Sequence, residues 1–405
     1  MEDTADVEDP SADLYRRLRR ECRRRADELW AISSALHTHP ELAYEEHHAA
    51  SLLTAELRRA GFTVERGAAG LDTAFLARAA RSRGRCVALL LEYDALPGLG
   101  HACGHNLIAA AGLGAALALR AVQVEEGFEG TVCAVGTPAE ERGGGKVVLA
   151  EAGAFDGVDA ALMFHPGVHD WSWAPLTAQT QVRVGFHGRA AHPTGDPTGG
   201  IDALAALVQL FNTAAVVSRR LPPGSHVQGI VTDGGVATNM VPAYAEGLFG
   251  LRAATSTALD ALVADVGRWA EGVAAATGTG VEVTRLGRGY AHFRNNDVLS
   301  DRFGRHIAGS GIRLTEPVPG VFPGSSDIGD VSSRVPAIHP FVAILGDEAS
   351  DHTPAFARAA ASDRGREVML AAAEALACTA ADVLTDSGLA DRAWARQREK
   401  AAAGL

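Results

Sequence analysis

The chain has 405 residues, of which 47% are hydrophobic and 21% are charged, and its formal net charge is −12. This composition is typical of a globular protein that is large enough for more than one domain. The negative charge disfavours nucleic acid or an anionic membrane as the main partner, because both attract basic surfaces.

The sequence predicts neither a membrane span nor a disulfide-stabilised fold. Its longest apolar run, from Leu107 to Leu119, is shorter than the roughly 20 residues of a spanning helix. The N-terminus "MEDTADVEDP" is acidic and lacks the apolar segment of a secretory signal. The five cysteines are scattered along the chain, which is not the pattern of a disulfide framework. We therefore expect a cytoplasmic protein.

The first 176 residues alternate between predicted helices and buried strands. Residues 11–61 are predicted to be helical, in two segments joined near His39 and Pro40. Continuous apolar runs then predict buried strands at 85–93, 130–136 and 158–164. Helices are predicted between them, and Asn106 is the expected N-cap of the first. This alternation predicts an α/β domain.

Residues 177–290 have a different pattern, in which predicted elements follow in the order β-α-β-β-α-β. That order is typical of a ferredoxin-like α+β layer. A Gly/Ser turn, a strand at 339–345 and a helix at 363–388 come after it. We therefore predict an α/β domain with a central mixed sheet flanked by helices, formed by residues 1–176 and 291–405. Residues 177–290 form a domain inserted into it.

Polar side chains follow each predicted strand of the α/β domain. Ligands bind outside the carboxyl ends of strands in open α/β sheets, so we expect these side chains to share one crevice. Cysteine, histidine and carboxylate side chains together form an ordinary ligand set for zinc or a related metal. The side chains concerned are Asp94, Cys103, His105, Glu140, Glu141, His165 and, late in the chain, His352.

The stretch "DALPGLGHACGHN" contains two of these candidates at close spacing, Cys103 and His105. Residues two apart do not share a helix face, so the pair cannot chelate an ion from a regular helix. On a loop they can, and Gly104 allows a tight bend there. A thiol nucleophile with a histidine base is the alternative for this stretch.

Glu140 and Glu141 form the second candidate feature, at the end of a predicted strand. Adjacent buried carboxylates repel each other unless a cation lies nearby. One can bind a metal while the other acts as the base that deprotonates the attacking water. The Gly-rich "GSSDIGDVS" lacks the lysine of a phosphate-binding loop, so a turn lining the active site is expected instead.

The sequence resembles the M20 metallopeptidases, in particular the amidohydrolase subgroup of hippurate and auxin-conjugate hydrolases. Within that subgroup it is most similar to the branch of aminobenzoyl-glutamate hydrolase and β-alanyl-lysine dipeptidase. The matching motifs fall in family order between about residue 30 and residue 385. They are "LHTHPELAYEE", "DALPGLGHACGHN", "GTPAEE", "LMFHPG", "GRAAHPTGDPTGGIDAL", "GGVATNMVPAYAE", "GSSDIGDVS" and "DHTP".

The resemblance implies a metal-dependent amidohydrolase that cleaves N-acyl amino acids or small dipeptide-like molecules. The implied metal ligands are Cys103, His105, Glu141, His165 and His352. Glu140 would be the general base, and Asp94 would orient a ligand. The metal is expected to be zinc, with manganese or cobalt as alternatives, in one or two copies. Two positions depart from the common family pattern, Asn106 and Glu92.

The resemblance also assigns roles to the inserted domain, which would act as a lid and form a homodimer. His192 would reach the active site of the partner subunit and stabilise the oxyanion. Asn239 would contact substrate, and His101 has no assigned role. Two alternatives stay open on the residues alone. They are a cysteine-dependent hydrolase that uses Cys103 and a metal-binding scaffold without turnover.

Overall fold

The computed structural model describes residues 10–81, 84–196, 198–386 and 388–405. The acidic N-terminal residues 1–9 lie outside the described part. The α-helices are α1 (Pro10–Arg24), α2 (Ala26–Thr38), α3 (His47–Arg59), α4 (His105–Glu126), α5 (Gly145–Glu151), α6 (Ala203–Ser218), α7 (Ser256–Thr277), α8 (Asp297–Ala308), α9 (Ile328–Ser332), α10 (Pro354–Ala359), α11 (Asp363–Thr385) and α12 (Leu389–Ala402).

The strands alternate with these helices along the chain. They are β1 (Thr63–Arg66), β2 (Phe75–Arg81), β3 (Cys86–Leu91), β4 (Gly130–Gly136), β5 (Ala160–Leu162), β6 (His165–Gly167), β7 (Ala178–His187), β8 (His226–Asp233), β9 (Tyr244–Ala253), β10 (Gly280–Tyr290), β11 (Ala337–Ile338) and β12 (Phe341–Ala343).

The large sheet has the strand order β1-β2-β4-β3-β5-β11. Strands β4, β3, β5 and β11 are parallel neighbours, whereas β1 and β2 pair antiparallel at one side. The expected mixed sheet is therefore confirmed. Strand β3 is buried along almost its whole length, as expected where helices cover both faces of a parallel sheet. The hydrophobic core around this sheet includes residues from 18–176 and from 293–393.

Helices α4 and α11 are the two longest apolar helices of this domain, and they pack against each other. By length and composition alone both could cross a membrane, although no uninterrupted apolar run in the sequence is long enough. In each, 83% of the most apolar window is buried inside the protein. Core helices of globular proteins share this property.

Residues 178–290 form a separate four-stranded sheet with the order β10-β7-β9-β8, in which all neighbours are antiparallel. Helices α6 and α7 cover this sheet and contribute to a second hydrophobic core, drawn from residues 178–274. Thr255 caps α7 by accepting a hydrogen bond from the backbone N–H of Ala258. The elements follow the expected ferredoxin-like order, with β8 at an edge of the sheet.

Three local predictions differ from the structure. The first predicted helical segment is two helices, because the chain breaks at Arg25 between α1 and α2. Strands β1 and β2 were not predicted. Helix α4 begins at His105 with Gly104 as its N-cap, so Asn106 lies inside the first turn. The Asn106 side chain instead donates hydrogen bonds to Ser33 Oγ and to the Ala360 carbonyl, which tie the helix to neighbouring segments.

Candidate metal centre

The candidate side chains lie at one edge of the large sheet, where its parallel strands end. Asp94 follows β3, Glu140 and Glu141 follow β4, and His165 comes just after β5. Because β4, β3 and β5 are neighbours in that order, their carboxyl ends lie side by side. The loop before α4 adds Cys103, and the loop before α10 adds His352.

Gly104 allows Cys103 and His105 to point into the same space. Its φ is +77°, a left-handed conformation that glycine adopts without strain. A Cβ at this position would lie 2.5 Å from Pro166 Cγ, in the segment that carries His165. Gly104 is the N-cap of α4, so Cys103 lies on the loop and His105 is the first residue of the helix.

His105 is held by Asp94 from behind. Its Nδ1 lies 2.9 Å from the Asp94 carbonyl oxygen and 3.1 Å from Oδ1 of the same residue. Both oxygens only accept, so Nδ1 carries the proton and the lone pair of Nε2 faces the other candidates. In His165, Nδ1 is similarly bound to the Pro166 carbonyl at 2.6 Å, which leaves Nε2 facing Cys103 Sγ at 3.5 Å.

The loop that carries Glu140 and Glu141 is also fixed by Asp94. The second carboxylate oxygen of Asp94 accepts a hydrogen bond of 2.9 Å from the Glu141 backbone N–H. His352 also approaches Glu141, with 3.5 Å between its Nε2 and Glu141 Oε2. The backbone N–H of His352 donates to the Ala102 carbonyl, next to Cys103.

The five implied ligands and Glu140 form three overlapping groups of potential metal-binding atoms. Within each group, one ligand atom from every member lies within 4.8 Å of the others. The groups are Cys103 with His105 and His165, Cys103 with Glu141 and His352, and His105 with Glu140 and Glu141.

Several buried atoms in this cluster have no hydrogen-bond partner among the described residues, which fits a divalent cation. Nε2 of His105 and Oε1 of Glu141 are two such atoms, 4.0 Å apart. Oε2 of Glu92 is a third, 3.4 Å from the same His105 nitrogen. A lone pair that faces carboxylate oxygens is unfavourable unless a proton or a metal ion lies between them. The thiol, imidazole and carboxylate donors match zinc and related metals.

Burial disfavours the charged form of several side chains in this cluster and so shifts their pKa values. Burial lowers the pKa of His165 to about 4, which keeps the ring in the neutral form that binds metals. Burial and then the charge of Glu141 raise the pKa of the Cys103 thiol. Burial and the nearby carboxylates of Glu92 and Asp327 raise the pKa of Glu140. A raised thiol pKa disfavours Cys103 as a free nucleophile, because the thiolate is the reactive form.

A buried lysine that sequence reasoning missed lies beside this cluster. The Lys146 ammonium is 2.6 Å from Asp327 Oδ1 and forms an ion pair with Glu92, and all three side chains are almost completely buried. The Lys146 backbone N–H also donates to Asp327 Oδ2. A lone lysine at the start of the apolar segment "GKVVLA" was the available signal.

A cavity of about 450 Å³ opens onto the cluster. One wall carries Cys103, Glu140, Glu141, His165 and His352. The Gly/Ser turn lines the cavity through Gly324, Ser325 and Ser326, as its expected role requires. His339, another residue missed from the sequence, belongs to the wall beside His165.

Arg252 belongs to the same cavity wall but comes from β9 of the small sheet. Its Nη1 donates a hydrogen bond of 2.8 Å to Ser325 Oγ, which directs the guanidinium toward the cavity. Sequence reasoning missed this residue too, because a single arginine in an alternating strand carries no distinctive pattern.

Two predicted residues are not brought into the cavity of this chain. His192 is exposed, and its Nδ1 accepts hydrogen bonds from the backbone N–H groups of Thr194 and Gly195. Asn239 is exposed in the loop between β8 and β9. Neither is among the described residues that line the cavity. Their predicted roles stay predictions. His101 is buried, its ring stacks near that of His37, and burial lowers its pKa to about 3.

Comparison with known families gives an identification. The model of "Peptidase family M20/M25/M40" matches residues 88–375. The chain belongs to this family. As an M20 protein, it is a metallopeptidase or amidohydrolase whose centre takes a divalent metal.

Proteins with related sequences align with most of this M20 protein. It is 38% identical over 373 residues to Xaa-Arg dipeptidase of Mus musculus, covering 89% of this chain and 86% of that protein. It is 29% identical over 436 residues to one of the subunits of p-aminobenzoyl-glutamate hydrolase from Escherichia coli (strain K12). This match covers 90% of this chain and 89% of that protein. A dinuclear metal-binding M20 peptidase of Bacillus subtilis shares the fold. Its TM-score is 0.71 at 23% identity, covering 88% of this chain and 98% of that one.

Proposed function

We propose that this M20 protein hydrolyses the amide bond of a dipeptide or an N-acyl amino acid that carries a free carboxylate. The position of Glu140 carries the proposal. Its carboxylate faces the cavity, and its Oε2 lies 4.0 Å from His105 Nε2. With Glu141 engaged by His352, Glu140 is the carboxylate left to transfer protons.

Cys103, His105, Glu141, His165 and His352 would hold the divalent metal. Zinc fits this mixture of thiolate, imidazole and carboxylate, with manganese or cobalt as alternatives, in one or two copies. When bound, the metal supplies an acidified water and polarises the amide carbonyl. Glu140 takes the proton of the attacking water and delivers it to the leaving amine.

Arg252 would bind the carboxylate of the substrate. Its guanidinium faces the cavity from the inserted domain and lines it together with the candidate ligands. Arginine suits this role because its planar fork matches a carboxylate. Similarity to Xaa-Arg dipeptidase and p-aminobenzoyl-glutamate hydrolase supports a dipeptide or an N-acyl amino acid, since both names describe such linear amides.

The protein would act as a homodimer through the inserted domain, residues 177–290, with residues 1–176 and 291–405 forming the catalytic domain. Strand β8 supports this, because it is an edge strand with Ile230 60% exposed and Val231 49% exposed. The exposed His192 would then reach the active site of the partner subunit and stabilise the oxyanion, and Asn239 would contact substrate. A cytoplasmic location is supported by the five free cysteines.

The test is the variant Glu140→Gln, with turnover and metal content measured together on zinc-loaded protein. The substrates are a panel of dipeptides and N-acyl amino acids. We expect turnover to fall by about 100-fold or more while metal content is unchanged. Glu129→Gln, at an exposed acidic residue, is the matched control. Full activity of Glu140→Gln with metal bound would exclude Glu140 as the base.

A further inference from the structure

Glu46 has an unusual position for an acidic residue at the start of a helix. It is the N-cap of α3, where a short side chain such as Asp or Ser ordinarily accepts hydrogen bonds from the first turn. Here the Glu46 side chain makes no capping hydrogen bond. Glu41 takes that role by accepting from the backbone N–H groups of His48 and Ala49, at 2.8 and 2.9 Å. The Glu46 carboxylate is therefore free for another function.

That carboxylate points into the catalytic domain and is fully buried. Oε1 accepts a hydrogen bond of 2.9 Å from the backbone N–H of Ala139, and Oε2 accepts one of 2.7 Å from the Thr73 hydroxyl. The backbone of Thr73 is itself held, because its carbonyl accepts a hydrogen bond of 2.6 Å from the Tyr93 hydroxyl. Glu46 thus connects a fixed part of the core to the loop after β4.

Ala139 is the residue immediately before Glu140, and its backbone is strained. Its φ is +61°, a left-handed conformation that is unfavourable for an L-residue other than glycine. Such a conformation persists only where surrounding contacts enforce it. The hydrogen bond from the Ala139 N–H to Glu46 is one such contact. The turn at Ala139 sets the direction in which Glu140 and Glu141 leave the strand.

The same segment contacts this loop at a second point. The Tyr44 hydroxyl donates a hydrogen bond of 2.9 Å to the Gly143 carbonyl. Asp94 holds Glu141 between these two points by accepting from its backbone N–H. The Tyr290 hydroxyl also donates a hydrogen bond of 3.2 Å to the Glu140 carbonyl. The loop is therefore fixed at Ala139, Glu140, Glu141 and Gly143, with two of these four contacts made by residues 44–46.

We propose that Glu46 is a positioning residue that holds the Glu140–Glu141 loop in its catalytic conformation through the Ala139 N–H. Its effect on catalysis rests on the proposed function, in which Glu140 is the base and Glu141 a ligand. Its effect on the loop does not. Removing the acceptor leaves a buried N–H without a partner and allows Ala139 to relax to negative φ. Both carboxylates then move.

The experiment compares Glu46→Met, Glu46→Asp and Glu46→Gln in the full chain. Methionine has a similar length but no acceptor, and aspartate keeps the charge but is one methylene too short. Glutamine retains an acceptor for Ala139 and a donor for Thr73. Glu45→Met is the matched control, because Glu45 is an exposed neighbour in the same segment. Thermal unfolding checks that each variant is folded.

Three readouts are collected for each variant. They are kcat and KM with a dipeptide that the wild-type protein hydrolyses, the zinc dissociation constant against a chromophoric chelator, and amide hydrogen exchange of the peptide spanning residues 137–145. In Glu46→Met we expect kcat and zinc affinity to fall by about 10- to 100-fold, with KM changed much less, and faster exchange in that peptide. Glu46→Asp should change in the same direction, and Glu46→Gln should lie near wild type.

The outcomes separate this proposal from the proposed function. Wild-type kcat, zinc affinity and exchange in both Glu46→Met and Glu46→Asp would overturn the positioning role. A loss in Glu46→Gln equal to that in Glu46→Met would also overturn it, because charge rather than the hydrogen bond would then matter. If the wild-type protein hydrolyses no substrate while exchange and zinc affinity change as expected, the proposed function fails and the positioning role stands.

Discussion

The carboxylate of Asp94 lies 3.1 Å from Nδ1 of His105, and both side chains are completely buried. The other oxygen of the same carboxylate accepts from the backbone N–H of Glu141. One side chain therefore orients two candidate ligands that are far apart in sequence. Because both of its oxygens act as acceptors, no neutral isostere can reproduce both contacts.

Replacing Asp94 by Asn should weaken metal binding. The amide has one acceptor oxygen, so its NH₂ group must face either His105 Nδ1–H or the Glu141 N–H, and both are donors. We expect zinc affinity to fall by about 10- to 100-fold, as for other residues that orient metal ligands. Competition with a chromophoric chelator measures it. Unchanged affinity would show that Asp94 does not orient the ligands.

Replacing Lys146 by Met should strongly destabilise the protein. The change leaves the carboxylates of Glu92 and Asp327 buried without their cation, which typically costs about 3–5 kcal/mol. Denaturant unfolding of the metal-free protein measures the loss. Neutralising both partners as well, in Glu92→Gln/Lys146→Met/Asp327→Asn, should recover part of the stability.

Lys400→Met is the matched control for Lys146. The Lys400 ammonium donates to the Asn295 carbonyl and pairs with Asp297 at 3.6 Å, closer to the surface. A partly solvated pair contributes less, so we expect a loss of about 1 kcal/mol. Equal losses in the two lysine variants would contradict a special role for the buried cluster.

Replacing Arg252 by Met should selectively impair substrates with a free carboxylate. The variant loses a charge-assisted contact, so we expect kcat/KM for a dipeptide to fall by about 10- to 100-fold. The C-terminally amidated dipeptide should be affected much less. Arg288→Met is the control, since Arg288 pairs with Glu151 outside the cavity wall. An equal loss on both substrates would exclude carboxylate recognition by Arg252.

Stability should decrease as pH rises through the titration of Glu46. Burial raises the pKa of Glu46 from 4.5 to about 7, so the native state favours the protonated acid. The contribution of protonated Glu46 to the free energy of unfolding is fully present below pH 4.5 and is lost as pH rises toward 7. Glu46→Gln cannot titrate, so it should gain stability relative to wild type between about pH 5 and about pH 8. Parallel unfolding profiles for the two proteins would contradict the raised pKa.

Mixing two inactive variants should restore activity if His192 acts across a dimer. Glu140→Gln lacks the proposed base, and His192→Ala lacks the proposed oxyanion donor. In a mixed dimer, one site combines an intact Glu140 with an intact His192 from the other chain. We expect activity to appear after subunit exchange and to be absent from each variant alone. Size-exclusion chromatography with light scattering checks the oligomer, and an inactive mixed dimer would show that His192 does not act across the dimer.

The buried parallel strands could be predicted from the sequence because each is a continuous apolar run. Strands 130–136 and 85–93 were found within two residues of their observed bounds. Strand β1 was missed because its four residues, Thr63–Arg66, are mostly exposed and carry no apolar run. The predicted N-cap of α4, Asn106, was wrong. Gly104 takes that position in a left-handed conformation, and the Asn106 side chain instead ties the helix to Ser33 and Ala360.

The sequence by itself determined which chemistry this protein carries. Side chains of the types that bind metals follow the carboxyl ends of apolar strands, and that pattern predicts a crevice without knowledge of distances. Only the tertiary structure decided how the centre is held. The side chains of Glu46, Lys146 and Arg252 contact partners far away in sequence, and a hydrogen bond or an ion pair depends on where two segments meet. Local patterns contain no information about such meetings, because backbone propensity and hydrophobic periodicity describe one segment at a time.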